Sequence, residues 1–201
     1  MITHLHFIES KFKLSIENRG ILEVGSNLNN YLSFEDANIY AKEYVQNFTR
    51  RDTKDQARQE KSSKDSVLGK LVEEIIVYLL NNYFVHNNRN YLVTNNKNEN
   101  ELVKNLVNSL RIDRINSSHQ KNFDSDIIIF NKNKIEKEKK IFILSAKGTT
   151  RERIGQFLSH LFLMDQDVLN AKYGKDRYEV VFTKENINLK YAFVTFDWAR
   201  E

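Results

Sequence analysis

Asp126 is followed by Ile127, Ile128, Ile129 and Phe130, and Lys147 closes a second apolar run, Ile141 to Leu144, through Ser145 and Ala146. Both runs are short and continuous, the pattern of a buried strand. The stretch NKNKIEKEKK between them is charged and suits a hairpin connection. In an antiparallel hairpin the start of the first strand lies beside the end of the second. A carboxylate and an ammonium about 20 residues apart in the chain are therefore expected at one sheet edge. A strand end holds a side chain rigidly, as a reacting group requires. The alternative is a solvated ion pair worth under about 1 kcal/mol.

Other carboxylates could join them. Glu73 and Glu74 interrupt a helix that is otherwise apolar nearly all round. A buried, unpaired carboxylate costs several kcal/mol, so a metal ion or a lysine beside Glu73 would remove a penalty. The alternative places both on one exposed strip. Asp124 precedes Asp126 by two residues and shares its sheet face by strand alternation. Asp165 and Glu152 are further candidates, although Glu152 also completes a capping box with Thr149.

The elements that must position these groups read as follows. Phe12, Leu14 and Ile16 alternate with polar residues and predict a short strand, with Ile21, Leu22 and Val24 continuing the apolar content. Ser33 with Asp36 predicts a helix start, followed by Ala37, Tyr40, Ala41, Tyr44, Val45 and Phe48 at helical spacing. Residues 49–64 carry six basic and three acidic side chains, as a solvated segment or a phosphate-binding arm. Ser66 to Phe84 predicts a central, largely buried helix, Tyr91 to Thr94 a short strand, and Glu101 to Leu110 an amphipathic helix. Beyond the hairpin, a helix opens near Thr149, with Ile154, Phe157, Leu158, Leu161 and Phe162 on one face. Its polar side carries Arg153, Gln156 and His160. Arg151 and Arg153 near a helix N-terminus oppose the helix dipole, which suggests a phosphate partner. Strands are expected at Tyr178–Thr183 and Tyr191–Phe196. The order is that of a mixed α/β domain.

Composition bounds the rest. The chain has 201 residues, 40% hydrophobic and 29% charged, which supports a real core in one domain. It contains no cysteine, which excludes disulfides, thiolate zinc sites and a cysteine nucleophile, and it contains no proline. A net charge of +4 permits nucleic-acid binding without requiring it. The N-terminus lacks a signal-peptide pattern and no apolar run is long enough to span a membrane, so a cytoplasmic protein is expected. No P-loop, Rossmann glycine pattern or Gly-x-Ser-x-Gly elbow is present, and the histidines show no metal-ligand spacing.

A strand opening with Asp, a connection, and a strand ending in x-x-Lys together resemble the core of the PD-(D/E)XK nucleases. The stretch SAKGTTRERIGQ, residues 145–156, is similar to the Ser-x-Lys-Thr-Thr-x-Arg-(Glu/Asp)-Arg-x-x-Gln pattern of many Type II restriction endonucleases. Gly69, Val72 and Glu73 match the Gly-x-x-apolar-Glu of the helix that precedes the hairpin in that superfamily. The likeness is specific over residues 123–165 and looser from residue 66 onward. Two departures stand out. No proline precedes Asp126, and Ser145 occupies a position that usually holds Glu or Asp.

The resemblance implies a single nuclease domain over 1–201, with an extension over 1–60 and a catalytic core over 66–201. Its fold would be α/β, a mixed central sheet flanked by helices. It implies Mg²⁺ held by Asp126, Glu73 and the carbonyl of Ala146, Lys147 acting on the attacking water and the scissile phosphate, and Ser145 leaving room beside the metal. Arg151, Arg153 and Gln156 would contact double-stranded DNA. A homodimer and a cognate DNA methyltransferase as genomic neighbour would follow. Two further readings stay open: a nuclease for branched or repair intermediates, and a DNA-binding protein that has lost its site.

Overall fold

The computed structural model describes residues 3–48, 56–96, 101–123, 125–147, 164–184 and 186–195. They fall into two compact units: Met1–Asn87 with the short stretches Lys147–Thr149 and Thr195–Glu201, and Asn88–Ala146 with Thr150–Val194.

The first unit is helical. α1 (His4–Arg19) starts on Thr3, whose hydroxyl accepts from the His6 amide, and stops at Gly20, where φ is 85°. Ile8 and Phe12 are its buried residues, four apart on one helix face. Leu14, by contrast, is 69% exposed. The alternation of Phe12, Leu14 and Ile16 therefore does not mark a strand. The spacing that decides the fold is Ile8 to Phe12. α2 (Ile21–Ser26) carries the apolar content that continues past Gly20 and buries Ile21 and Val24.

α3 (Phe34–Phe48) opens as its residues predict. The Asp36 amide donates to Ser33 Oγ at 3.0 Å, and the Ser33 amide donates to Asp36 Oδ2 at 3.4 Å. The Ser33 hydroxyl, with Lys11 also beside it, holds the Asp36 carboxyl below its ordinary value of 3.8. A lowered carboxyl stabilises the fold above that ordinary value, and its contribution is lost as the pH falls through the lowered one.

α4 (Gln56–His86) runs for 31 residues, so the basic segment is helical from Gln56 onward, while residues 49–55 lie outside the described residues. Leu68, Leu71, Val72, Ile75, Ile76 and Leu79 are buried at helical spacing. Gly69 sits inside this helix, and a Cβ there would meet nothing within 4 Å. Gly69→Ala is expected to raise stability by roughly 0.5–1 kcal/mol, read from the midpoint of a urea titration. A lower midpoint would mean that the position tolerates no side chain.

The second unit holds two sheets, and it confirms the mixed α/β class at the coarse level. Its elements are β1 (Tyr91–Thr94), α5 (Glu101–Asn108), β2 (Arg111–Arg114), β3 (Gln120–Asn122), β4 (Ile127–Asn131), α6 (Ile135–Glu138), β5 (Lys140–Lys147), α7 (Gln166–Tyr173), β6 (Tyr178–Val180), α8 (Val181–Lys184) and β7 (Asn188–Thr195). The strands order as β1-β4-β5-β7 and β3-β2-β6. β4 pairs antiparallel with β5, Ile127 opposite Leu144 and Phe130 opposite Ile141, and antiparallel with β1, Ile128 opposite Thr94. Ile128, Phe130, Ile141 and Ile143 join a core shared with Leu106 of α5 and Leu169 of α7. Ile127 and Ile129 alternate to the other face and are also buried. Burial on both faces explains the unbroken apolar run.

The charged connection contains one turn of helix, α6, which buries Ile135 and ends at Lys139 in the left-handed region, φ 45°. The expected strand over Tyr178–Thr183 stops at Val180, and α8 takes over. Val180, Val181 and Phe182 are all buried. The helical turn brings Phe182 against Phe123, ring centroids 6.0 Å apart. Among the described residues no helix is long and apolar enough to cross a membrane.

Candidate active site

The hairpin forms with the expected pairing, and its open end carries Asp126. Continuing the β4–β5 register one step past Ile127 and Leu144 sets Asp126 opposite Ser145. Opposed residues project to the same face of a sheet. Asp126 Oδ2 accepts from Ser145 Oγ at 3.1 Å and from the Ala146 backbone amide at 2.9 Å. Charge-assisted bonds of this kind are the stronger class of hydrogen bond. They fix the carboxylate against β5 before any ligand arrives.

The surroundings turn polar at this end of the sheet. Among the described residues, three of the four buried polar side chains lie here: Thr94 at the end of β1, Ser125 before β4, and Ser145 near the end of β5. The rest of the sheet buries aliphatic and aromatic groups. Ser125 Oγ is buried with no hydrogen-bond partner among the described residues. An unsatisfied buried hydroxyl costs about 1–3 kcal/mol, which a water or a ligand oxygen would recover.

Ala146 is buried, and its N–H points to Asp126. In a strand the N–H and C=O of one residue face the same side, so the Ala146 carbonyl also faces the β4 side. Lys147 is the last residue of β5. Its side chain lies outside the described residues, as do Asp124, Arg151, Glu152, Arg153, Gln156 and His160.

A hydrated Mg²⁺ is held through one or two carboxylates, with waters and substrate phosphates completing its six oxygens. The Asp126 carboxylate and the Ala146 carbonyl fit that pattern. They do not fit an all-protein cage: among the described residues, no three His, Cys, Asp or Glu side chains gather where they could hold a metal ion.

The remaining sequence candidates have their own surroundings. Glu73 is half-buried on α4 in the helical unit. Glu74 Oε1 lies 3.2 Å from His4 Nδ1, and the His4 ring stacks on Tyr44 at 4.7 Å. That contact accounts for a carboxylate on an apolar helix at position 74. Asp165 caps α7, its Oδ1 accepting from the Asp167 and Val168 amides at 2.8 and 3.4 Å, so it serves a helix end. Ser125 and the Ala146 amide were not legible as site groups in the sequence. Neither carries a sequence signal beyond standing next to Asp126 or Lys147.

No family model matches this chain, and no curated protein matches it.

Proposed function

We propose that this chain is a Mg²⁺-dependent deoxyribonuclease that hydrolyses phosphodiester bonds of double-stranded DNA at a specific short sequence, a Type II restriction endonuclease of the PD-(D/E)XK kind. The observation that carries the reading is the Asp126 carboxylate, pinned by Ser145 Oγ and the Ala146 amide at the open end of the β4–β5 hairpin, one residue short of Lys147. The stretch SAKGTTRERIGQ that follows supports the same reading.

Asp126 and the Ala146 carbonyl would hold Mg²⁺ in this scheme. The metal supplies Lewis acidity toward the scissile phosphate. Ser145 orients the Asp126 carboxylate by donating to Oδ2, so little reorganisation is needed when substrate binds. Lys147 orients the attacking water and offsets charge on the phosphate. Arg151, Arg153 and Gln156 contact the DNA, and a two-fold dimer would match cutting of both strands of a palindrome. A cytoplasmic enzyme with a cognate methyltransferase encoded nearby fits this role.

One observation favours a second reading. Ser145 is a neutral residue where a carboxylate usually stands, as in a DNA-binding protein that has lost catalysis. Digestion of phage and plasmid DNA by the purified protein separates the possibilities. Discrete fragments with Mg²⁺ support the restriction reading. Cutting confined to branched substrates points to a junction nuclease. Sequence-specific binding without cutting leaves only the binding protein.

A further inference from the structure

A second candidate site lies in the second unit. A cleft of about 160 Å³ opens between the three-stranded sheet and α7, lined by Ile112, His119, Lys121, Leu169, Tyr173 and Tyr178. Ile112 and Leu169 are buried and make an apolar floor. Tyr173 and Tyr178 form one wall, their ring centroids 4.9 Å apart and their planes tilted by 53°. Tyr173 keeps 37% of its surface exposed. His119 and Lys121 are exposed on the opposite rim.

The sheet sorts its charges by face. Ile112 pairs with Lys121 and Val180, and Arg114 pairs with Tyr178, so these residues share the face that looks toward α7. The Arg114 amide donates to the His119 carbonyl at 3.0 Å, which brings His119 alongside. The two carboxylates of these strands, Asp113 and Glu179, pair with each other on the opposite face. There Asp113 also binds Arg111 Nε at 2.9 Å. On α7, Lys172 Nζ lies 5.2 Å from the Tyr173 ring centre. Asp167 sits six residues before Tyr173 on that helix, about 9 Å along its axis. The cleft is thus apolar at its base and aromatic on one wall, with the Lys121 ammonium and the His119 imidazole at its rim.

That combination matches a nucleotide: a flat ring to stack on tyrosine and a phosphate to meet the lysine and a ring N–H. Size narrows the class. A cavity of about 150 Å³ accommodates one benzene ring, so a single six-membered ring is enough to fill this cleft. We propose that it binds one pyrimidine nucleotide of a nucleic-acid strand, with the ring against Tyr173 and Tyr178 and the phosphate on Lys121 and His119. In a duplex that ring is accessible only when the base leaves the stack, so unpaired strands are the preferred ligand. The site adds to the nuclease reading and does not depend on it.

The test is fluorescence anisotropy of the full chain with a labelled oligothymidylate of about ten nucleotides, in EDTA so that no cleavage occurs. The parent protein is expected to bind it more tightly than an oligoadenylate of equal length. Tyr173→Ala should weaken binding roughly tenfold, while Tyr173→Phe, which keeps the stacking face, should restore it. Lys121→Ala, at an exposed position, should reduce the salt dependence by one phosphate contact, a slope change of about 0.7 on a single strand. Equal binding by the parent and Tyr173→Ala, or a preference for oligoadenylate, overturns the proposal. Equal affinity for polyglutamate overturns it as well and identifies the surface as a site for acidic polypeptides.

Discussion

Asp126→Asn is expected to lower Mg²⁺-dependent DNA cleavage by roughly a hundredfold to a thousandfold or more, and to leave the fold intact. Asparagine keeps one side-chain oxygen, so it can still accept from Ser145 Oγ and the Ala146 amide, which both now donate to Oδ2. What it loses is the negative charge and a carboxylate ligand for a divalent ion. Single-turnover rates at saturating enzyme, set beside thermal melting of both proteins, separate the two effects. A melting point within a few degrees of the parent, with cleavage gone, is the expected result. Unchanged cleavage contradicts the role of Asp126. A collapse of the melting point would make this carboxylate a structural clasp between β4 and β5.

Phe130→Ala should have the largest effect on stability, about 3–5 kcal/mol. Phe130 is 2% exposed, lies on β4 and faces Leu92 on one side and Ile141 on the other in register. Removing its ring leaves a cavity between strands that cannot close without bending the sheet. Domains are commonly stable by only 5–15 kcal/mol, so the variant would be substantially weakened at physiological temperature. Leu22→Ala, on α2 with its side chain exposed, serves as the control and should change stability by less than about 0.5 kcal/mol. Urea titrations of both variants check the pair. A loss under about 1 kcal/mol for Phe130→Ala would mean that β4 is not the centre of this unit.

The hairpin was readable because β4 and β5 are buried on both faces and so carry unbroken apolar runs. The start of α3 was readable because Ser33 and Asp36 form a local motif that tertiary structure rarely overrides. α4 declared itself by sustained helical spacing from Leu68 to Leu79. The N-terminus misled because three apolar residues in alternation are too few to outweigh a helical pair such as Ile8 and Phe12. β2 and β3 were not legible. Their residues, RIDR and QKN, are polar, and only Ile112 is buried among them. Such strands exist through pairing with partners distant in sequence, which no local pattern records.

The candidate site was legible in position but less so in its contacts. Strand ends pointed to Asp126 and Lys147 as a pair. The register sets Ser145 opposite Asp126, and a hydroxyl and a backbone amide are among the partners of the carboxylate. A difference of two residues at a strand end decides which group lies across from a carboxylate, and sequence alone does not fix the register that closely. Asp165 looked like a spare acid for the same reason that it makes a good cap: a short carboxylate just before a helix.

The most direct measurement follows plasmid cleavage by the parent chain and by Lys147→Ala, with Mg²⁺ and with EDTA, at concentrations where both proteins occupy the DNA equally. The expected result is cutting by the parent with Mg²⁺ alone, none in EDTA, and a loss of at least a hundredfold in Lys147→Ala at unchanged occupancy. Cutting that persists in Lys147→Ala, or that proceeds equally in EDTA, would contradict a centre built from Asp126 and Lys147 around a divalent ion.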